Sequence, residues 1–181
     1  MHARMAALAA ASLVSIVCWS GPGSVARAEP ARDIPQSVLA EHESVMAYLH
    51  GIAAKPTPEG AAAQKVIDML KPHMAKEEAF ILPPLVLLPD LAAGKVSPDM
   101  RWAIEMADRV KAEQAALLKI HQGLSDAFIV LLDAAEAAGD EVTVGFTKDL
   151  AADDLGDREV TEPTTILIGE FLRSHLHHDK D

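Results

Sequence analysis

Six residues of this sequence combine the side-chain types and the spacing expected of metal ligands. They are His42, His73, Glu77, His121, Asp153 and Asp157. His73 precedes Glu77 by four residues, and Asp153 precedes Asp157 by four, a spacing that places both members of a pair on one side of a helix. Neutral imidazole and carboxylate oxygen are ligands that iron, manganese and zinc accept. The pattern therefore predicts mixed nitrogen and oxygen ligation inside a helical protein.

Three histidines and three carboxylates would suit two metal ions that share bridging carboxylates. Glu77 and Asp157 are the predicted bridges, because each is the second member of its pair on facing helices. Burying such groups without partners costs free energy, and a bound ion removes that cost. A lone histidine on an apolar stripe is nevertheless typical of an ordinary core residue, and the segment AADDLGDRE is equally typical of a solvated helix surface. From the residues alone, a metal site and a set of ordinary polar side chains both remain open.

Four amphipathic patterns predict the helices that position these residues. Apolar and candidate-ligand residues recur at helical spacing over residues 35–52, 62–82, 98–138 and 142–160. The segment KPTPEG separates the first two patterns, and Gly139 with Asp140 closes the third and caps the fourth. Pro72 predicts a kink rather than a break, and Pro163 predicts the start of a short extra C-terminal helix. The expected fold is all-α, an up-down-up-down four-helix bundle.

The inward face predicted for the fourth helix decides how its two aspartates would be used. This face is the stripe Val142, Phe146, Leu150, Asp153, Asp157 and Val160. It would turn both aspartates toward the histidines of the other three helices.

Composition supports a helical, acidic domain. The chain has 181 residues, 50% of them hydrophobic and only 4% aromatic, and alanine and leucine dominate. These proportions favour helices over strands and are too apolar for a disordered chain. The formal net charge of −11 argues against nucleic-acid and anionic-membrane partners, which are bound through Lys and Arg clusters.

Residues 1–28 have the features of a cleaved signal peptide. A short basic start is followed by an apolar run, and Ala26-Arg27-Ala28 is a cleavage motif of the A-x-A type. The apolar run is shorter than the roughly 20 residues needed to span a bilayer, so no stable membrane insertion is expected. The sequence predicts cleavage after Ala28 and export of a single domain, residues 29–181, to the periplasm or the medium. The single cysteine, Cys18, lies in the signal, which leaves no thiolate ligand in the mature chain.

Four segments, taken in order, resemble the hemerythrin-like family of cation-binding four-helix proteins. They are AEHESVMAYL, LKPHMAKEEAFILPPL, LLKIHQGL and the segment ending in TILIGEFL, within residues 35–172. The resemblance implies a non-haem di-iron centre in the bundle core, with iron as Fe2+ or Fe3+ and without haem. His42, His73, Glu77 and His121 match the family's ligand positions.

The fourth helix departs from the family pattern. Asp153 stands where the family has a histidine, and Asp157 stands where it has a glutamate. Aspartate is a competent oxygen ligand, but its shorter side chain reaches less far. The second metal position is therefore expected to be weakened, to take a different ion, or to be lost, which would leave one ion.

Two classes of function follow. The first is a metal-binding protein whose partner is a small oxidant such as O2, and which binds that oxidant, senses redox state or buffers iron. A non-enzymatic role is the expectation for this class, because the sequence shows no nucleophile with an adjacent base and no phosphate-binding glycine-rich loop. An oxidase or peroxidase-like activity of the iron stays open as an alternative. The alternative is a structural or interaction bundle with a degenerate, non-binding metal site, in which the apolar ILPPLVLL segment serves as a partner surface.

Overall fold

Six α-helices make up most of residues 34–177, the part of the chain that our computed structural model describes. They are α1 (Gln36–Ala53), α2 (Pro58–Lys76), α3 (Leu88–Ala92), α4 (Trp102–Ala138), α5 (Glu141–Gly156) and α6 (Glu162–His177). Two short 3-10 turns, Pro83–Leu87 and Pro98–Arg101, flank α3. No strand occurs within residues 34–177. The predicted signal peptide, residues 1–28, lies outside the described residues.

The long helix α4 organises the bundle. It packs against α2, α5 and α6, while α1 packs against α2. The all-α prediction and the four-helix bundle are confirmed. By length and composition the stretch Pro98–Ala138 could cross a membrane, but the same properties belong to the core helix of a bundle, and α4 buries eleven of its residues here.

The helix ends follow local chemistry. Thr57 caps α2 by accepting a hydrogen bond from the Gly60 amide at 3.1 Å, with Pro58 in the first turn. A side chain at Gly60 would place its Cβ 2.1 Å from the Lys55 carbonyl oxygen, so the turn requires glycine. Gly139 ends α4 in the left-handed conformation (φ 70°), and Asp140 then caps α5, as predicted.

Two π turns lie at matching places in the bundle. One, Glu77–Ile81, extends α2; the other, Asp157–Thr161, joins α5 to α6. The amide of Leu82 donates to the carbonyl of Glu77 at 2.8 Å, five residues back, and the amide of Glu162 donates to Asp157 in the same way. A proline follows each of these two donors. The wider turn accommodates its ring, which in a regular α-helix would clash with the carbonyl four residues earlier.

The predicted separate C-terminal helix is wrong in one respect. Residues from Glu141 to His177 stay helical throughout, so Pro163 does not begin an isolated short helix but lies in the first turn of α6, a direct continuation of the fourth helix. The π turn explains the difference, because its wider backbone leaves room for the Pro163 ring and lets the helix continue past a residue that has no N–H to donate. Pro72 likewise lies inside an unbroken α2.

The inward face of the fourth helix differs from the predicted stripe. Val142 and Val160 are 70% and 63% exposed, and Asp153 is also exposed. The buried residues of α5 are instead Thr143, Val144, Thr147, Leu150 and Asp154. Most of the buried face is therefore shifted by about one residue relative to the prediction, whereas Leu150 stays on it.

Hydrogen bonds offset the free-energy cost of burying the hydroxyl groups of the two threonines. The Thr147 hydroxyl donates to the Thr143 carbonyl at 2.7 Å, and the Thr143 hydroxyl lies 3.0 Å from the Tyr48 hydroxyl. Satisfied hydroxyls carry little penalty in a core. Hydrophobicity alone cannot explain why Thr143 is buried while the neighbouring Val142 remains outside.

A polar layer separates two apolar clusters. One cluster includes Leu70, Leu124 and Leu131, and the other includes Phe80 and Val110. Between members of these clusters, along α2 with its π turn and along α4, lie three buried polar residues: His73, Glu77 and His121. The candidate site lies within this buried polar layer.

Candidate metal centre

Three candidate ligands meet where α2 ends and the second π turn begins. His73, Glu77 and Asp157 each place one ligand atom within 4.8 Å of the others. His73 and Glu77 are 2% and 4% exposed, and Asp157 is half-buried. Glu77 and Asp157 are the first residues of the two π turns. One imidazole and two carboxylates thus converge, and all three belong to the six predicted ligands.

His73 is the least satisfied polar side chain of this group. Within residues 34–177 neither of its ring nitrogens has a hydrogen-bond partner, although both are buried. Nε2 lies 3.4 Å from Glu77 Oε1, an ion-pair distance without the geometry of a hydrogen bond. An unsatisfied buried nitrogen costs roughly 1–3 kcal/mol. A cation bound between these atoms would remove the penalty and fits the donor set.

The two carboxylates are close enough to oppose each other's ionisation. Burial and the charge of Glu77 raise the pKa of Asp157 to about 8. Burial also acts to raise the pKa of Glu77, but the neighbouring His73, Asp157 and His42 outweigh it and hold that pKa below its usual range. Without a cation the pair therefore favours one shared proton at neutral pH. A divalent ion would stabilise both carboxylates in the charged form.

His42 approaches the same carboxylate from α1. Its Nε2 lies 3.6 Å from Glu77 Oε2, and its Nδ1 lies 2.8 Å from Glu78 Oε1. A hydrogen bond from Nδ1–H to Glu78 would leave the Nε2 lone pair directed toward Glu77. A carboxylate that holds one nitrogen of a histidine while the other faces a metal is a common feature of metal sites.

A cavity of about 500 Å³ connects these groups. Its polar lining includes His42, His73, Glu77 and Asp157, and its apolar lining includes Leu70 and Phe128. Such a cavity can admit a small ligand beside a metal.

His121 lies beside this group but has other partners. Its ring packs edge to face with the His73 ring, with the centroids 4.8 Å apart. Its Nδ1 lies 2.8 Å from Asp154 Oδ1 and its Nε2 lies 2.9 Å from Glu162 Oε1. Burial acts to lower the pKa of His121, but these two carboxylates outweigh it and raise the pKa to about 9.

Asp153 is the one predicted ligand that the structure keeps apart from the others. It is exposed and lies on the rim of the cavity, which Glu41 also lines. Partial burial, then the charges of Glu41 and Asp149, raises its pKa. The inward position belongs to its neighbour Asp154, which is 8% exposed.

Three residues of the site were missed in the sequence. Asp154, Glu162 and Glu78 each hold a histidine nitrogen of this region. Adjacent carboxylates in the pairs Glu77-Glu78 and Asp153-Asp154 were visible, but only the rotation of the helix shows which member turns inward. Glu162, an acidic residue directly before Pro163, offered no comparable signal.

Comparison of this chain with models of known protein families, with curated proteins and with solved structures found no match. The function must therefore be inferred from the arrangement of the chain's own residues.

Proposed function

We propose that this chain is an exported, hemerythrin-like protein that binds non-haem iron in its helical bundle and uses that iron to bind O2 or a related small oxidant. The proposal includes an up-down-up-down order of the four helices, removal of residues 1–28 and residence in the periplasm or the medium. Redox sensing and iron buffering would use the same site.

The main support for the proposal is the unsatisfied ring of His73. Within the described part of the chain both of its buried nitrogens lack a hydrogen-bond partner, while two carboxylates lie within 4.8 Å. If this position served only packing, an apolar side chain would suit it better, since a buried imidazole without hydrogen bonds destabilises the fold. A cation among His73, Glu77 and Asp157 gives all three a partner.

His42 is proposed as a fourth ligand. Its Nε2 faces Glu77, and Glu78 holds its other nitrogen at 2.8 Å. This bond fixes the tautomer and the orientation of the ring, so less freedom is lost when Nε2 binds an ion. Glu78 itself is 40% exposed and can keep contact with solvent.

The donor set is one that iron accepts, as do manganese and zinc. It contains imidazole and carboxylate and no thiolate, so it lacks the soft ligands that select Cu(I). Bound iron would supply exchangeable electrons and a coordination position for a small oxidant. The chain supplies two histidines to hold the ion, two carboxylates to balance its charge and the apolar residues Leu70 and Phe128 beside the cavity.

Reconstitution with Fe2+ under anaerobic conditions tests the proposal. After removal of free metal, we expect iron to remain bound and the Tm to rise, because a ligand that binds only the native state stabilises it. Admitting O2 should change the absorption spectrum of the loaded protein. His73→Leu should lose most of the bound iron and both responses.

His50→Leu is the matched control, because His50 is an exposed histidine of the same α1 helix that carries His42. It should bind as much iron as the unaltered protein. A protein that retains no iron, with an unchanged Tm, would instead support the structural or interaction bundle.

A further inference from the structure

The number of ions can be inferred from how the two clusters of candidate ligands overlap. One cluster is His73, Glu77 and Asp157; the other is His73, His121 and Asp154. Both depend on His73. A neutral imidazole has a single nitrogen lone pair, so His73 can bind one ion at a time. The clusters are therefore alternatives rather than two halves of a pair.

The second cluster is already engaged in hydrogen bonds. His121 is fully buried, with Asp154 at 2.8 Å from one nitrogen and Glu162 at 2.9 Å from the other. Ligation by His121 would break at least one of these bonds in a place shielded from water. Breaking a buried charge-assisted hydrogen bond and leaving its partner unpaired is costly.

The two histidines line different cavities. The cavity of about 500 Å³ is lined by His42, His73, Glu77 and Asp157 and also by Asp154 of the second cluster, whereas His121 does not contribute to it. His121 and Glu162 line a different cavity, of about 370 Å³. The two rings touch edge to face, but their nitrogens serve different surroundings.

We propose that this chain binds a single metal ion, held by His73, Glu77, Asp157 and His42, and that His121 is not a ligand but a structural link from α4 to Asp154 on α5 and Glu162 on α6. This inference rests on the proposed metal-binding function. It departs from the di-iron centre that the sequence resemblance implies, because His121, which the resemblance assigns as a ligand, is here hydrogen bonded to Asp154 and Glu162.

Stoichiometry tests the inference directly. The metal-free protein is titrated with Co2+ by calorimetry and, under anaerobic conditions, with Fe2+, and bound metal is counted after desalting. We expect one ion per chain for both metals. Two ions per chain would overturn the inference and leave the proposed function standing, whereas none would overturn the proposed function itself.

The variant His121→Gln tests whether His121 is a metal ligand or a structural link between helices. His121→Gln should still bind one Co2+, with the same visible absorption bands and an affinity within about tenfold of the unaltered protein, although its thermal stability falls. His73→Leu should bind none. Loss of the ion or shifted Co2+ bands in a folded His121→Gln protein, with helicity checked by circular dichroism, would make His121 a ligand. Because the count on the unaltered chain needs no substitution, a variant that fails to fold leaves the test intact.

Discussion

The rings of His73 and His121 pack edge to face with centroids 4.8 Å apart, yet their nitrogens are in opposite situations. Both nitrogens of His121 are hydrogen bonded to carboxylates. In the described residues, those of His73 have no such partner. The fold thus supplies hydrogen-bond partners for His121 but not for His73. This difference is the basis for assigning the two histidines different roles.

His73→Leu should remove the stabilisation that metal gives while changing the metal-free fold much less. Leucine removes two buried unsatisfied nitrogens, worth about 1–3 kcal/mol, but it also removes the neighbour that lowers the pKa of Glu77, so the two effects oppose each other in the metal-free protein. Urea unfolding of the metal-free proteins measures the net change, which we expect to stay within about 1 kcal/mol. The same variant should show no increase in Tm when Fe2+ is added. A loss of more than about 3 kcal/mol in the metal-free variant would mean that the fold satisfies His73 without an ion.

Glu78→Gln should weaken metal binding without removing it. The substitution replaces the charged acceptor of His42 Nδ1, at 2.8 Å, with a neutral amide oxygen, so the hydrogen bond that orients the ring is weakened. We expect the Kd for Co2+ to rise by about tenfold to a hundredfold. Glu43→Gln, an exposed residue next to His42 in sequence, is the control and should leave the Kd unchanged. Equal Kd values for all three proteins would remove His42 from the ligand set.

The stability of the metal-free protein should fall at alkaline pH because of His121. Its pKa is raised from 6.5 to about 9 in the folded state. The native state therefore binds the proton more tightly than the unfolded chain, and the stabilisation is complete below about pH 6.5 and is lost as the pH rises through about 9, on the order of 3 kcal/mol in total. Urea unfolding at pH 6.5, 8 and 9.5 measures the change.

His121→Gln provides the comparison for the pH effect. It should be less stable at pH 6.5, and its stability should depend less on pH between 6.5 and 9.5. Asp157, whose pKa is raised to about 8, destabilises the fold as pH rises from about 4 to 8, so part of the slope below pH 8 should remain. A slope identical to that of the unaltered protein would mean that His121 does not carry the effect.

Gly169→Ala should destabilise the contact between α4 and α6. A Cβ at this position would lie 2.2 Å from the Ala107 Cβ, and neither group can rotate away. Separation of the helices should cost about 1–3 kcal/mol in the free energy of unfolding. Gly145→Ala in α5 has no heavy atom within 4 Å of the new Cβ and should instead stabilise the protein by about 0.5–1 kcal/mol. Unfolding by urea should rank the variants with Gly145→Ala highest.

Local patterns along the chain were sufficient for the presence of the helices and for some of their ends. Gly139 and Asp140 act through neighbours only a few residues away, which is why the end of α4 and the start of α5 agree with the predicted patterns, whereas α2 begins at Pro58, before the predicted pattern. The pair His73 and Glu77 was also predictable, because a four-residue spacing on one helix fixes the relative positions of both side chains.

Contacts between helices decided the rest. Whether Asp153 or Asp154 turns inward depends on a rotation of about 100° per residue, which packing of Thr143 and Thr147 settles. Glu162 lies 41 residues from His121 in the chain, and no short-range pattern reports a hydrogen bond over that separation. Side-chain types therefore determine which groups are able to bind a cation, but only the packed bundle determines which of them already have a partner.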